Sequence, residues 1–320
     1  MTDRNHNAVQ LYSDAKNGDR RALGRLISLI ESGYLFKLNQ VKSHPGAQNG
    51  PVLVGITGAP GAGKSTLTSQ IISSIRSVNE TVAVIAIDPS SPFTGGAILG
   101  DRIRMSEHAL DSGVYIRSFA TRGKLGGLAS AVPEVVKLLS SLLYNFVLIE
   151  TVGVGQIEVE IVGQADTTVV VVNPGWGDSV QANKAGLMEI ADIFVINKSD
   201  RPGANETERD LKAMLELSSN LDWIPPICQT VSTEGQGVDT LLEKIKEHRS
   251  YLEKTGILQQ KLVQRTKNEI LSLINERIVL KTNEFVDSKF GNELVDSVID
   301  GNLDVFAASE IVLGEINKVI

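Results

Sequence analysis

Short apolar runs and amphipathic stretches alternate along this chain, and the alternation predicts its architecture before any motif is read. The apolar runs lie in PVLVGITG (51–58), TVAVIAID (81–88), FVLIE (146–150), TTVVVVNP (167–174) and IFVIN (193–197). Runs rich in Val and Ile, with no polar alternation, fit strands buried on both faces. Between them lie STLTSQIISSIRSV, SAVPEVVKLLSSLLY and VQANKAGLMEIA, whose apolar residues recur at helical spacing. Strands of this kind separated by helices predict an α/β fold: a mostly parallel central sheet covered by helices.

The flanks read differently. Residues 1–45 predict a helical extension, with Ala22, Leu23, Leu26, Ile27, Leu29 and Ile30 at helical spacing. The polar stretch SHPGAQNG (43–50) reads as a linker, and residues 46–250 hold the α/β domain. From 251 to 320 the pattern is helical again, with few breakers, and Leu294, Val295 and Val298 continue it near the end. No internal repeat or low-complexity tract interrupts these three segments.

Composition narrows the function classes. The 320 residues are 42% hydrophobic and 22% charged, an ordinary globular balance with enough apolar material for a sizeable core. A net charge of −7 gives no basic excess for a nucleic-acid or anionic-membrane partner. An aromatic content of 5% argues against a stacking platform for single strands. Cys228 is the single cysteine, so no intrachain disulfide can form and a reducing compartment is expected. The polar start MTDRNHNAVQ lacks the apolar core of a signal peptide, and no apolar run reaches the roughly 20 residues that span a bilayer. A cytoplasmic location is the expectation.

The first strand runs into GAPGAGKST, which fits G-x-x-x-x-G-K-[ST] with Gly58, Gly63, Lys64 and Ser65 in place. The strand before it and the helix after it supply the context that phosphate binding requires. Glycines let backbone N–H groups of Gly61, Ala62, Gly63, Lys64, Ser65 and Thr66 converge on phosphate oxygens, and the helix adds its positive end. Lys64 would reach the β- and γ-phosphates, and Ser65 would bind Mg2+. This setting explains Glu150, the acid that closes the buried run FVLIE and precedes ETVGVGQ. Beside a phosphate loop such an acid holds the metal, directly or through water, and Gly153 can donate its N–H to the γ-phosphate. Asp88 and Asp101 are two further candidate metal carboxylates. Gln156 is the candidate for orienting the attacking water. Arg102, Arg104, Arg117 and Arg122 could stabilise charge, although surface ion pairing is the ordinary role for most of them.

The base is read from IFVINKSD, where Asn197, Lys198 and Asp200 form Asn-Lys-x-Asp at a strand end. A carboxylate accepts from the guanine N1–H and its exocyclic amine. Adenine would face Asp200 with a lone pair, at a cost of roughly 1.5–3 kcal/mol. GTP is therefore expected over ATP. In the loop QTVSTEGQG (229–237), Ser232 is the candidate to offer a backbone N–H to the guanine carbonyl.

These residues carry a resemblance. GDRRALGRLISLIE, GITGAPGAGKSTL, AIDPSSPFTGGAILGDRIRM, ATRGKLGGLA, ETVGVGQIEVE and GDSVQANKAGLMEIADIFVINKSD resemble the methylmalonyl-CoA mutase-associated GTPases, called MeaB or ArgK, a branch of the metallochaperone-type P-loop GTPases. The matching stretches cover most of residues 18–200. The resemblance implies a homodimeric, Mg2+-dependent GTPase that serves a cobalamin-dependent acyl-CoA mutase, gating cofactor delivery and protecting or reactivating the mutase. It places acids matching Asp88, Asp101 and Glu150 around the metal. It makes the segment Gly177–Glu189 a further switch that senses the mutase, with Asp178 and Lys184 as coupling residues. It assigns the dimer to the C-terminal helices. The chain departs from the family pattern at Ile157, Trp176 and Val231-Ser232, none of which removes a phosphate, metal or Asn-Lys-x-Asp residue.

Other readings are a metallochaperone GTPase, a transport-associated kinase or ATPase of the ArgK type, and a nucleotide-binding scaffold without turnover. Metal delivery would call for His or Cys clusters, whereas His6, His44, His108, His248 and Cys228 are scattered. A kinase would need a substrate base and groove for which no motif is visible.

Overall fold

The computed structural model describes residues 2–32, 50–88, 105–120, 125–142, 144–151, 153, 163–175, 189–217 and 222–316; within these, the side chains of 2–7, 88, 106, 120, 125–130 and 276 are not described. Its strands are β1 (Val52–Gly58), β2 (Val82–Asp88), β3 (Val114–Ala120), β4 (Phe146–Thr151), β5 (Thr167–Val172), β6 (Ile193–Asn197) and β7 (Ile227–Thr230). The described helices are α1 (Thr2–Lys16), α2 (Arg20–Glu31), α3 (Lys64–Ser77), α4 (Leu125–Ser141), α5 (Ala204–Leu217), α6 (Val238–Lys254), α7 (Ile257–Val286), α8 (Lys289–Ile299) and α9 (Val305–Ile316). The strands form one sheet in the order β3-β2-β4-β1-β5-β6-β7, and every pairing between them is parallel. The expected α/β architecture is therefore the observed one.

Two strands extend the expected set. β3 reads VYIRSFA, where Arg117 and Ser118 break the apolar run, and β7 is the four-residue ICQT. Both stand at sheet edges, where one flank needs no partner strand and the demand for continuous apolar residues relaxes. The helix predicted from VQANKAGLMEIA lies largely outside the described residues.

Alternate positions along the strands feed opposite layers. Leu53, Ala83, Ile85, Val147 and Ile149 pack with α1, α2 and α4. Val54, Ile56, Val84, Leu148, Val169 and Val195 pack with α3 and α6. Val170, Val172, Phe194 and Ile196 meet α5. The side chains of Leu23, Leu26, Ile27 and Ile30 on α2 are buried in the first of these layers. At roughly 1.5–3 kcal/mol for each fully buried aliphatic side chain, that burial holds the N-terminal helices on the sheet. Asp19 caps α2 by accepting from Arg21 N (2.8 Å) and Ala22 N (3.2 Å).

The chain divides into two compact units, Met1–Leu262 and Val263–Ile320. In the second, Ser288 caps α8 through Gly291 N, and Phe285 meets Phe290 edge-on at 5.8 Å. Among the described residues no helix is long and apolar enough to cross a membrane.

Candidate functional site

Parallel pairing brings all the strand C-termini to one edge, so the ends of β1, β4 and β6 share that edge. The loop after β1 is shaped by its glycines. Gly58 has φ +142°, and a Cβ there would stand 2.1 Å from Val171 O on β5. Gly63 caps α3 at φ +90°, and a Cβ would lie 2.4 Å from Asn197 Nδ2. Only glycine meets both the conformation and the close approach. Lys64, 6% exposed, folds back over the loop and donates Nζ to Gly58 O (2.8 Å) and Ala59 O (3.0 Å). Gly61 and Ala62 complete the loop, and Thr66 stands half-buried in the first turn of α3.

Ser65 and Glu150 meet. The register sets Glu150 of β4 beside Ile56 of β1, and Ser65 Oγ donates to Glu150 Oε1 at 2.7 Å. Both residues are buried, at 6% and 3% exposure. A hydroxyl and a carboxylate are hard oxygen donors, the set that suits Mg2+, so the residues present fit that ion.

Two residues beyond the motif hold Gly153. Thr57 donates to Gly153 O at 2.8 Å, and the single hydroxyl proton of Thr151 is shared between Thr57 Oγ1 (3.1 Å) and Gly153 O (3.3 Å). Both threonines are fully buried. Spacing motifs do not name them. The available signal is a hydroxyl inside each of two aliphatic strands, VLVGITG and FVLIET, since a buried hydroxyl needs a partner.

On the base side, Asn197 is a joint. Its Nδ2 donates to Ala62 O at 2.8 Å, tying β6 to the phosphate loop. Its Oδ1 accepts from Ser232 Oγ (2.7 Å), Thr230 Oγ1 (3.1 Å) and Ser232 N (3.2 Å). Lys198 takes φ +58°, a conformation that costs a non-glycine residue about 1–2 kcal/mol, and its Nζ bonds Gly61 O at 2.7 Å. Asp200 is exposed in the turn that follows.

The structure thus brings Gly58, Gly61, Ala62, Gly63, Lys64, Ser65, Glu150, Gly153, Asn197, Lys198 and Ser232 to one edge. The Asp88 side chain, Asp101, Gln156, Asp178 and Lys184 lie outside the described residues, as do Ile157, Trp176, Arg102, Arg104 and Arg122. Arg117 sits mid-strand opposite Ile85 and pairs with Glu31 and Ser28 on α2, away from the strand ends.

A parallel sheet with a phosphate loop on its central strand and Asn-Lys-x-Asp two strands away defines a P-loop GTPase. The family model described as "Methylmalonyl Co-A mutase-associated GTPase MeaB" matches residues 23–286, and the chain belongs to that GTPase family. A putative GTPase of Pyrococcus horikoshii is 48% identical over 312 residues, covering 96% of this chain and 98% of that one. The mitochondrial methylmalonic aciduria type A homolog of Mus musculus is 32% identical over 289 residues, covering 84% and 70%. Among solved structures, a LAO/AO transport system kinase superposes with a TM-score of 0.68 at 22% identity, covering 97% of each chain, which establishes likeness of fold.

Proposed function

We propose that this GTPase serves a cobalamin-dependent acyl-CoA mutase of the methylmalonyl-CoA mutase type as a chaperone, gating cofactor loading and protecting or reactivating the enzyme. The observation that carries the nucleotide chemistry is the contact of Ser65 Oγ with Glu150 Oε1 beside Lys64. Family membership supports the partner, since the family's description names association with the mutase.

In this reading phosphate oxygens take the place of Gly58 O and Ala59 O at the Lys64 ammonium. Ser65 and Glu150, with Asp88 and Asp101, would hold Mg2+, which would supply charge neutralisation for the reacting phosphate. Asn197 and Lys198 brace the phosphate loop while Asp200 selects guanine. Water attacks the γ-phosphorus, the bond to the β–γ bridging oxygen breaks, and GDP leaves with that oxygen. Thr57 and Thr151 hold Gly153 beside the reacting phosphate, and Gln156 orients the water. Asp178 and Lys184 couple the nucleotide state to the mutase. Homodimerisation uses the C-terminal helical segment, residues 251–320, where the exposed Ile270, Ile274, Leu280, Ile299 and Phe306 offer apolar surface to a second copy.

The test is GTP hydrolysis by the purified protein, alone and with the mutase from the same source, with ATP in parallel. Slow GTP turnover accelerated by the mutase is expected. Turnover unmoved by the mutase removes the partner, and preferential ATP turnover removes the base assignment.

A further inference from the structure

We propose that the Ser232 hydroxyl is a positioning group: it occupies Asn197 Oδ1 so that the Ser232 backbone N–H is released to the 6-oxo group of a guanine nucleotide. The proposal rests on the guanine reading above.

The orientation of Asn197 is fixed by chemistry. Ala62 O can only accept, so the group 2.8 Å from it is the amide nitrogen, and Oδ1 must face Ser232 and Thr230. An amide oxygen has two lone pairs, yet three donors converge on it: Ser232 Oγ at 2.7 Å, Thr230 Oγ1 at 3.1 Å and Ser232 N at 3.2 Å. The oxygen is oversubscribed. The Ser232 hydroxyl makes the shortest contact and the backbone N–H one of the two longer ones, so the N–H can leave while the hydroxyl stays. After it leaves, two hydroxyls still fill both lone pairs of a residue that is 2% exposed.

The released N–H has a place to go. Lys198–Asp200 follows Asn197 directly, so a guanine whose N1–H and amine meet Asp200 carries its 6-oxo group on the neighbouring ring atom. The turn that presents Ser232 is held by Val231 N on Gln236 O (3.1 Å) and Glu234 N on Val231 O (2.9 Å). The N–H can therefore exchange acceptors without the turn rearranging. Were residue 232 to lack its hydroxyl, Asn197 Oδ1 and the base carbonyl would compete for one N–H.

Calorimetric binding of GDP and 6-thio-GDP to the wild type, Ser232→Ala and Ser232→Thr tests this. Sulfur at position 6 is a poor acceptor, so the thio analogue reports little of the bond in question. Ser232→Ala is expected to weaken GDP about three- to tenfold, the worth of one neutral hydrogen bond, and 6-thio-GDP by about twofold or less. Ser232→Thr keeps a hydroxyl and is expected to restore wild-type affinity for GDP. Equal weakening of both nucleotides would mean a merely structural role and would overturn the proposal, as would no weakening of GDP or a threonine variant that fails to rescue. A wild type that binds no GDP would overturn the guanine reading with it, whereas GDP binding indifferent to residue 232 overturns the hydroxyl's role alone.

Discussion

Acid should destabilise this protein through His248. The ring is 1% exposed, with Nδ1 2.9 Å from Thr167 Oγ1 and its face against Trp223 at 4.7 Å between ring centroids. Asp192, Lys261 and Tyr251 surround it. Asp192 Oδ1 stands 3.4 Å from Nε2, close enough to suggest an ion pair, but burial wins: it lowers the imidazole from 6.5 to about 4, and the Lys261 charge adds to the effect. The unfolded chain therefore takes up the proton first. Stability from this residue is intact above pH 6.5, falls as the pH drops toward 4, and levels off below. At 1.36 kcal/mol per pH unit the full penalty is about 3 kcal/mol, of which about 2 kcal/mol is lost between pH 8 and 5. Burial raises the Asp192 carboxyl, which acts in the opposite sense near its own titration, so a reference protein is needed. Urea unfolding followed by circular dichroism at pH 8, 6.5 and 5, on the wild type and His248→Asn, isolates the histidine. The wild type should lose about 2 kcal/mol more than the variant between pH 8 and 5. Parallel losses would refute the buried neutral ring. A wild type that gains stability relative to the variant on acidification would mean that Asp192 holds the ring charged.

Three further outcomes follow from the site and its supports. Ser65→Ala removes the donor on Glu150 Oε1 and a candidate metal ligand; GDP affinity in Mg2+ should fall at least about tenfold, the low end for a hydrogen bond to a charged group, toward the value in EDTA, read by calorimetry. Gly58→Ala forces a Cβ to 2.1 Å from Val171 O; displacing β5's backbone should cost about 1–3 kcal/mol in thermal unfolding and abolish nucleotide binding, and an unchanged melting temperature would contradict the close approach. Cys228 is buried on β7, which pushes its thiol up to about 11; a thiol reagent at pH 8 should modify it only in denaturant, and rapid labelling of the folded protein would count against that burial.

What could be read from the chain and what could not divides along a physical line. β1, β2, β4, β5 and β6 announce themselves because both their faces are covered, which forces Val and Ile at successive positions. β3 and β7 do not, because an edge strand tolerates Arg117 or Gln229. Gly58, Gly63, Lys64 and Ser65 are legible because phosphate binding is a local demand, met by backbone geometry within one loop. The pairing of Ser65 with Glu150 is half legible: each residue stands out beside its own strand, but their 2.7 Å contact depends on the parallel register of β1 with β4. Thr57, Thr151, Thr230 and the Ser232 hydroxyl belong to the other side of the line. They match no motif, and their partners are 2 to 96 positions away. Each is a buried hydroxyl, and a buried hydroxyl without a partner costs about 1–3 kcal/mol. Partners must therefore exist, and the sheet supplies them at the edge where the chemistry sits: Gly153 O for one pair, Asn197 Oδ1 for the other. A polar residue that interrupts a strand just before a phosphate or base loop is thus informative in its own right, because the bond it requires falls on groups of the candidate nucleotide site.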